Sequence, residues 1–574
     1  MDKYIKVLNL FNDWRNIENL DDELKEDLDK LNEKLQKNSN DKKTLEEIYD
    51  RFYCELKFGT AGMRGIMGAG TNRMNIPIIK RVSKGFAEWI ISRKVRKVEK
   101  EYSCVIAFDT RHNSLKFALI AKTILENRGI KVHLFKKPTP TPILSFAVSY
   151  LKASAGIVIT ASHNSKEYNG YKIYNETGTQ CSDMEANAVL KKISTIKLFE
   201  NDDFSIKKDF DIKKDEMIYN AFYSAVLKYN GKIGMEKMSN SNIAYTPLNG
   251  TGLYFILNIL EKIGVKKINI VEEQKAPDEN FSSAPFPNPE NKEALKKGLE
   301  LCYKLKKEGN APDILIATDP DADRVGIAVF DGSDDYKIFT GNEIGILIYD
   351  YLINRAKKNN SIKKNTNAIS TIVSTPLFLK LSNKNNLTTR ETLTGFKNIG
   401  KIMNDFFMDG ILEENIFNFE ESCGYLIGNY ARDKDGIGTT MILAELIAYY
   451  KAENKTAVKR MNEIYEENSF IFDEQLSFIF NGESGERKIK KIMATLIRLE
   501  LSDKIFPGKN LLKKENISGV IRLFFTDARI CLRPSGTEPK LKFYISSQGE
   551  SRKISNKILL YYKERINKFI EDYE

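Results

Sequence analysis

The apolar run ending at Ala317 opens into TDPDADR (318–324), where three carboxylates alternate. Asp319, Asp321 and Asp323 stand at i, i+2 and i+4, and in an extended segment that period aims all three to one side. Three like charges so close repel unless a cation sits among them, and hard oxygen ligands suit Mg²⁺. An EF-hand is excluded: its sixth position needs Gly and is Arg324, and its twelfth needs Glu and is Phe330. A nucleophilic aspartate of the DxDx(T/V) kind lacks its Thr or Val, since Asp323 stands there. A solvated acidic loop is the plain alternative.

A second stretch, GIVITASHNSKEYNGYKIY (156–174), ends a β-branched run at Ser162 and His163, with Lys172 close behind. His163 is expected to reach back poorly onto its own neighbour, and no GxSxG elbow occurs, so a Ser–His–Asp hydrolase is not indicated. A serine that carries a phosphoryl group fits better, supplying a metal-binding oxygen and a transferable group together. An ordinary strand-to-loop turn reads the same. LRPSGTEPK (532–540) packs Arg533, Ser535, Gly536 and Thr537 into one loop able to grip phosphate oxygens, unless it is a plain Pro/Gly turn. FEESCGY (419–425) sets the acceptors Glu420 and Ser422 two apart, a spacing suited to sugar hydroxyls or to a surface turn. FGTAGMRG (58–65) and TGFKNIG (394–400) are Gly-rich loops bearing Arg64 and Lys397.

The elements that must position these groups alternate along the chain. CVIAFDT is followed by the amphipathic SLKFALIAKTILENRG, then KVHLF, then GIVITASHN, and comparable strand–helix successions recur to about residue 450. Residues 1–50 read as a charged helical extension, and the last hundred as helix, strands and helix, an α+β end. The divisions expected are 1–50, 51–212, 213–335, 336–462 and 463–574. A length of 574 residues exceeds what one core supports. The formal charge of +11 comes from scattered Lys and fits a cleft that draws in small phosphorylated substrates better than it fits nucleic acid. The six cysteines lie far apart with no CxxC pair, which points to neither zinc nor disulfides and to a reducing compartment. The N-terminus is too charged for a signal peptide, and no apolar run is long enough for a bilayer, so a cytoplasmic location without membrane partners is expected.

Ser162, the Asp triplet, the FEESCGY loop and the RPSGT loop occur in the order seen in the α-D-phosphohexomutase superfamily. The chain resembles its phosphoglucomutase/phosphomannomutase members from about Glu55 to Ser546, most closely the phosphoglucomutase-2/phosphopentomutase branch. The resemblance implies three related α/β domains with mixed sheets plus a C-terminal α+β domain, around a central cleft. It implies a phosphoryl group moving between the 1- and 6-positions of glucose, and by extension mannose, phosphates through a phosphoserine and a bisphosphate. A phosphopentomutase acting on ribose or deoxyribose 1-phosphate, or a glucose 1,6-bisphosphate synthase, are the alternatives.

Carried over by motif, Ser162 is the phosphoserine, and one Mg²⁺ is held by Asp319, Asp321 and Asp323 with Ser162. Lys172 is the general acid/base; His163, catalytic, and Arg64, substrate-binding, lie at matching first-domain positions, and Arg324 beside the metal. Lys397, Glu420 and Ser422 contact the sugar; Arg533, Ser535, Gly536 and Thr537 dock phosphate; glucose 1,6-bisphosphate is the activator. Partners implied are sugar phosphates, with the chain as monomer or homodimer. Ser165 stands where the family commonly has Pro, Asn249 where His is usual, and Tyr425 where some phosphomannomutases carry His.

Overall fold

Buried β-branched runs alternating with one-sided helices produce layered α/β structure, and the computed structural model shows which strands pair. It describes residues 2–59, 62–93, 101–199, 205–480, 482–498, 505–534 and 540–572. Two compact units result: Met1–Ala328 with Phe396–Glu413 and Gly424–Ala448, and Val329–Gly395 with Glu414–Cys423 and Tyr449–Glu574.

In the first unit, the N-terminal extension folds as three helices, Asp2–Arg15, Asp22–Lys37 and Lys42–Phe52. Apolar residues at three- and four-residue spacing give each helix one buried stripe, and Phe11, Trp14, Leu24, Leu28, Leu31, Ile48 and Phe52 share one core. Arg51 fixes this bundle, donating to Asp27 at 2.5 Å and to Glu47 at 2.8 Å.

Next comes a six-stranded mixed sheet. Its order is Phe58–Gly59, Gly62–Ile66, Tyr168–Asn175, Ala155–Ile159, Tyr102–Phe108, Ile130–Leu134. The last three strands are parallel because the helices Ser114–Glu126 and Thr141–Tyr150 carry the chain back between them. Tyr168–Asn175 returns antiparallel to Ala155–Ile159, so the loop between them, bearing Ser162, lies at the end of a pair of buried strands. A second sheet runs Val325–Phe330, Ile314–Thr318, Asn242–Thr246, Lys267–Ile270, the last three parallel. The Asp triplet leaves the C-terminal end of Ile314–Thr318.

In the second unit, Thr388–Thr392, Asn367–Thr371 and Asn415–Glu420 pair in parallel. The helix Gly341–Lys358 begins in a capping box of Thr340 and Glu343. The C-terminal part is an antiparallel sheet in the order Ile471–Ile479, Lys540–Gln548, Ala528–Pro534, Val520–Phe525, Leu511–Ile517. The helix Gly482–Arg498 follows Ile471–Ile479 in sequence, and Arg552–Glu571 follows Lys540–Gln548. The sheet's two edge strands do not stand out in the sequence, since all their residues but Ile471 are half-buried or exposed. No helix among the described residues is long and apolar enough to cross a membrane.

Two expectations follow. Leu28, fully buried in the three-helix core, leaves a cavity in Leu28→Ala, which should lose about 2–5 kcal/mol in denaturant unfolding. His112 sits between Glu279 and Glu23, each 3.0 Å from one ring nitrogen. Burial draws its pKa down, but hydrogen bonds and charge from both carboxylates outweigh this and leave it raised. Its stabilising contribution is therefore complete below about pH 6.5 and fades as pH rises through the raised value. The Tm difference between wild type and His112→Gln should be larger at pH 5.5 than at pH 9.

Candidate active site

The strand Ala155–Ile159 is buried throughout, and its apolar run stops at Thr160. Ser162 then adopts φ 53°, a left-handed value unusual for a residue with a Cβ. Its amide donates to Thr160 Oγ1 at 2.8 Å, which holds the turn. The turn buries the Ser162 hydroxyl and directs it to Asp319 Oδ2 at 2.7 Å. The same backbone conformation overturns one expectation: His163 Nδ1 lies 3.1 Å from Ser162 Oγ, so the ring does reach its neighbour. Burial and the cations of Arg324 and Arg64 push His163 well below the usual imidazole range, and it is neutral near pH 7. Arg64, on the strand Gly62–Ile66, donates to Asn164 Oδ1 at 2.8 Å in this loop.

The Asp triplet is not extended. The strand ends at Thr318, and Ala322 at φ 50° bends the chain, so the carboxylates converge through a turn and not through strand alternation. Asp319, Asp321 and Asp323 each bring an oxygen within 4.8 Å of the others. One oxygen of each of the last two faces a cation: Lys172 Nζ is 2.8 Å from Asp321 Oδ2, and Lys434 Nζ is 3.1 Å from Asp323 Oδ2. The Thr141 hydroxyl also donates to Asp321 Oδ2, at 2.7 Å. Asp319 Oδ1 accepts the amides of Asp323 and Arg324. Burial followed by the charges of Asp321 and Asp323 raises Asp319 well above the carboxylate range, and burial and Asp321 raise Asp323. Burial acts the same way on Asp321, but Lys172 and Thr141 outweigh it and hold that carboxyl far below the usual range.

Four groups at this site escaped sequence reading. Lys434 belongs to RDKDG (432–436), far along the chain, and only the charge density of that stretch marks it. Thr141 is an unremarkable helix-start residue. Glu290 accepts from Arg324 Nη1 at 2.6 Å, and Arg111 binds the Ser162 loop itself. Three polar residues directly after a buried strand, as in FDTR (108–111), were the available signal.

The remaining expected residues fall elsewhere. Lys397, in the first turn of the helix Phe396–Met408, is ion-paired with Asp183 in the first unit. Glu420 ends the strand Asn415–Glu420 in the second unit, buried, with Oε2 accepting from Gly395 N at 3.2 Å, and Ser422 follows half-buried. Arg533 is half-buried on Ala528–Pro534. Ser535, Gly536 and Thr537 lie outside the described residues.

The donor set suits a hard divalent cation. Asp321 Oδ1 and Asp323 Oδ1 are buried and accept no hydrogen bond from described residues, while their partner oxygens are held by lysines. Asp321→Asn should raise the Kd for Mg²⁺ at least about 10-fold in calorimetric titration. An unchanged Kd would remove the triplet from consideration as an ion site.

The chain matches, in order, phosphoglucomutase/phosphomannomutase α/β/α domain I over residues 55–200, domain II over 220–332, domain III over 340–468 and the C-terminal domain over 496–556. A phosphoglucomutase from Staphylococcus haemolyticus (strain JCSC1435) is 35% identical over 520 residues, 86% of this chain and 91% of its own length. Another, from Staphylococcus epidermidis (strain ATCC 35984), is 34% identical over 543 residues, covering 90% and 95%. The solved structure of a provisionally named phosphomannomutase from Thermus thermophilus superposes with a TM-score of 0.67 at 22% identity, covering 90% and 99%, and shows a shared fold. With four domains matched in sequence order and relatives aligned nearly end to end, the chain belongs to the phosphoglucomutase/phosphomannomutase family and is a phosphotransferase of the isomerase class.

Proposed function

We propose that this chain interconverts glucose 1-phosphate and glucose 6-phosphate by way of a phosphoryl group carried on Ser162. The observation that carries the reading is the buried contact of Ser162 Oγ with Asp319, 157 residues away in sequence, among cations that an anion would satisfy. Burial and the neighbouring charges of Arg324 and Arg111 push the Arg64 guanidinium down, a crowding of like charge that a phosphoryl group on Ser162 would relieve. Relatives named phosphoglucomutase favour glucose as the sugar.

In this reading a sugar-phosphate hydroxyl attacks the phosphorus on Ser162, the P–Oγ bond breaks, and a sugar bisphosphate forms. The bisphosphate turns over and returns its other phosphoryl group to Ser162. Lys172, the cation 2.8 Å from Asp321, gives a proton to the leaving serine oxygen and takes up the proton of the attacking hydroxyl. Arg64 and Arg324 hold the phosphoryl oxygens, and neutral His163 orients Ser162 Oγ. Asp319, Asp321 and Asp323 would hold Mg²⁺, which when bound offsets charge on the phosphoryl oxygens. Lys397, Glu420 and Ser422 serve the sugar hydroxyls, while Arg533 with Ser535, Gly536 and Thr537 docks the second phosphate. Glucose 1,6-bisphosphate primes an unphosphorylated Ser162.

Ser162→Ala should abolish turnover of glucose 1-phosphate and the mass gain of one phosphoryl group on incubation with glucose 1,6-bisphosphate. Wild-type-like turnover in that variant would refute the reading. In the same assay kcat/KM should be highest for glucose 1-phosphate; a preference for ribose 1-phosphate would reassign the chain as a phosphopentomutase.

A further inference from the structure

Arg111 follows the buried strand Tyr102–Phe108, and its side chain is fully enclosed, as is that of Asp109. A guanidinium offers five N–H donors in a rigid fork. Here all five are committed. Nε donates to Asp109 Oδ2 at 3.1 Å. Nη1 donates to the carbonyl oxygens of Ser165, at 2.7 Å, and Tyr168, at 3.2 Å. Nη2 donates to the carbonyl oxygens of Ser162 and Asn164, both at 2.5 Å. Asp109 is itself anchored, accepting from the Arg111 amide at 3.0 Å and from Ser114 Oγ at 2.7 Å. The Phe281 ring covers the guanidinium, 4.8 Å from its carbon.

Four carbonyls within the seven residues 162–168 thus converge on a single cation. That loop has one feature needing support: Ser162 at φ 53°. A left-handed non-glycine conformation is strained and persists only where surrounding contacts over-determine it. With no donor left, Arg111 has no hydrogen bond to give a phosphoryl group.

We propose that Arg111 is the positioning residue of the phosphoryl-carrying loop: its five-donor fork, oriented by Asp109, sets the backbone of Ser162 so that Oγ faces Asp319. The inference rests on the mutase reading above and adds that fork geometry, not positive charge, is what Arg111 supplies. Lysine keeps the charge but has three donors and no fork.

The test compares wild type, Arg111→Lys and Arg111→Ala for kcat and KM on glucose 1-phosphate, and for the rate at which glucose 1,6-bisphosphate loads Ser162, read by intact mass. A displacement of the nucleophile by about 1 Å costs about 100-fold in rate. Arg111→Lys should therefore lose about 100-fold in kcat and in loading rate, nearly as much as Arg111→Ala, with KM within about threefold of wild type. Arg111→Lys at wild-type kcat, or a loss seen only in KM, would overturn the inference. Should neither variant fold, Ser114→Ala, which removes one hydrogen bond from Asp109, decides it: kcat lowered several-fold at constant KM supports the positioning role, and unchanged kcat overturns it. A wild type inert toward glucose phosphates fails the mutase reading instead, so the two failures are separable.

Discussion

Three aspartates packed within 4.8 Å of one another, all buried, are the constraint around which the first unit is arranged. Like charges at that separation in a medium poorer than water repel by several kcal/mol. The surroundings answer oxygen by oxygen: Lys172 and Lys434 each take one carboxylate, and Ser162 with two backbone amides takes Asp319. The two oxygens that accept no hydrogen bond from described residues, Asp321 Oδ1 and Asp323 Oδ1, are the ones a divalent cation would take.

Beside this acidic centre lies its electrostatic opposite. Arg64 and Arg324 reach toward the Ser162 loop from separate elements, and each carries a partner that limits its motion, Asn164 for the first and Glu290 for the second. Fixed cations next to a hydroxyl that faces fixed carboxylates are a preorganised setting for phosphoryl transfer, where little covalent chemistry is asked of the protein and positioning does most of it. The neutrality of His163 follows from the same crowding, since burial and two guanidiniums disfavour a third positive charge.

Backbone conformation supplies the aim. Ser162 and Ala322, at φ 53° and 50°, each sit one short turn beyond a buried strand, one in each of two sheets. Asn249, at φ 60°, is in the same region, which asparagine enters more readily than most residues. Such positions are tolerated where neighbours hold them: the loop of Ser162 is tied through four carbonyls, and Ala322 donates its amide to Asp319 O and accepts from Gly436 N through its carbonyl.

The amino-acid sequence by itself determined the alternation of strands and helices, the helical extension, the α+β end and the identity of the acidic and hydroxyl groups. Those follow from local periodicity and from side-chain chemistry, which the chain carries wherever it goes. Edge strands such as Ile471–Ile479 escaped because half-exposed pairing leaves a weak apolar pattern. The contact of Ser162 with Asp319, the two lysines on the aspartates and the Arg111 fork were decided only by tertiary structure. Each joins residues distant in sequence, or depends on a left-handed turn that places His163 against Ser162 where extended geometry would separate them. Hydrogen bonds and ion pairs act over a few ångströms in space, and spacing along a chain says nothing about which remote segment will fill those ångströms.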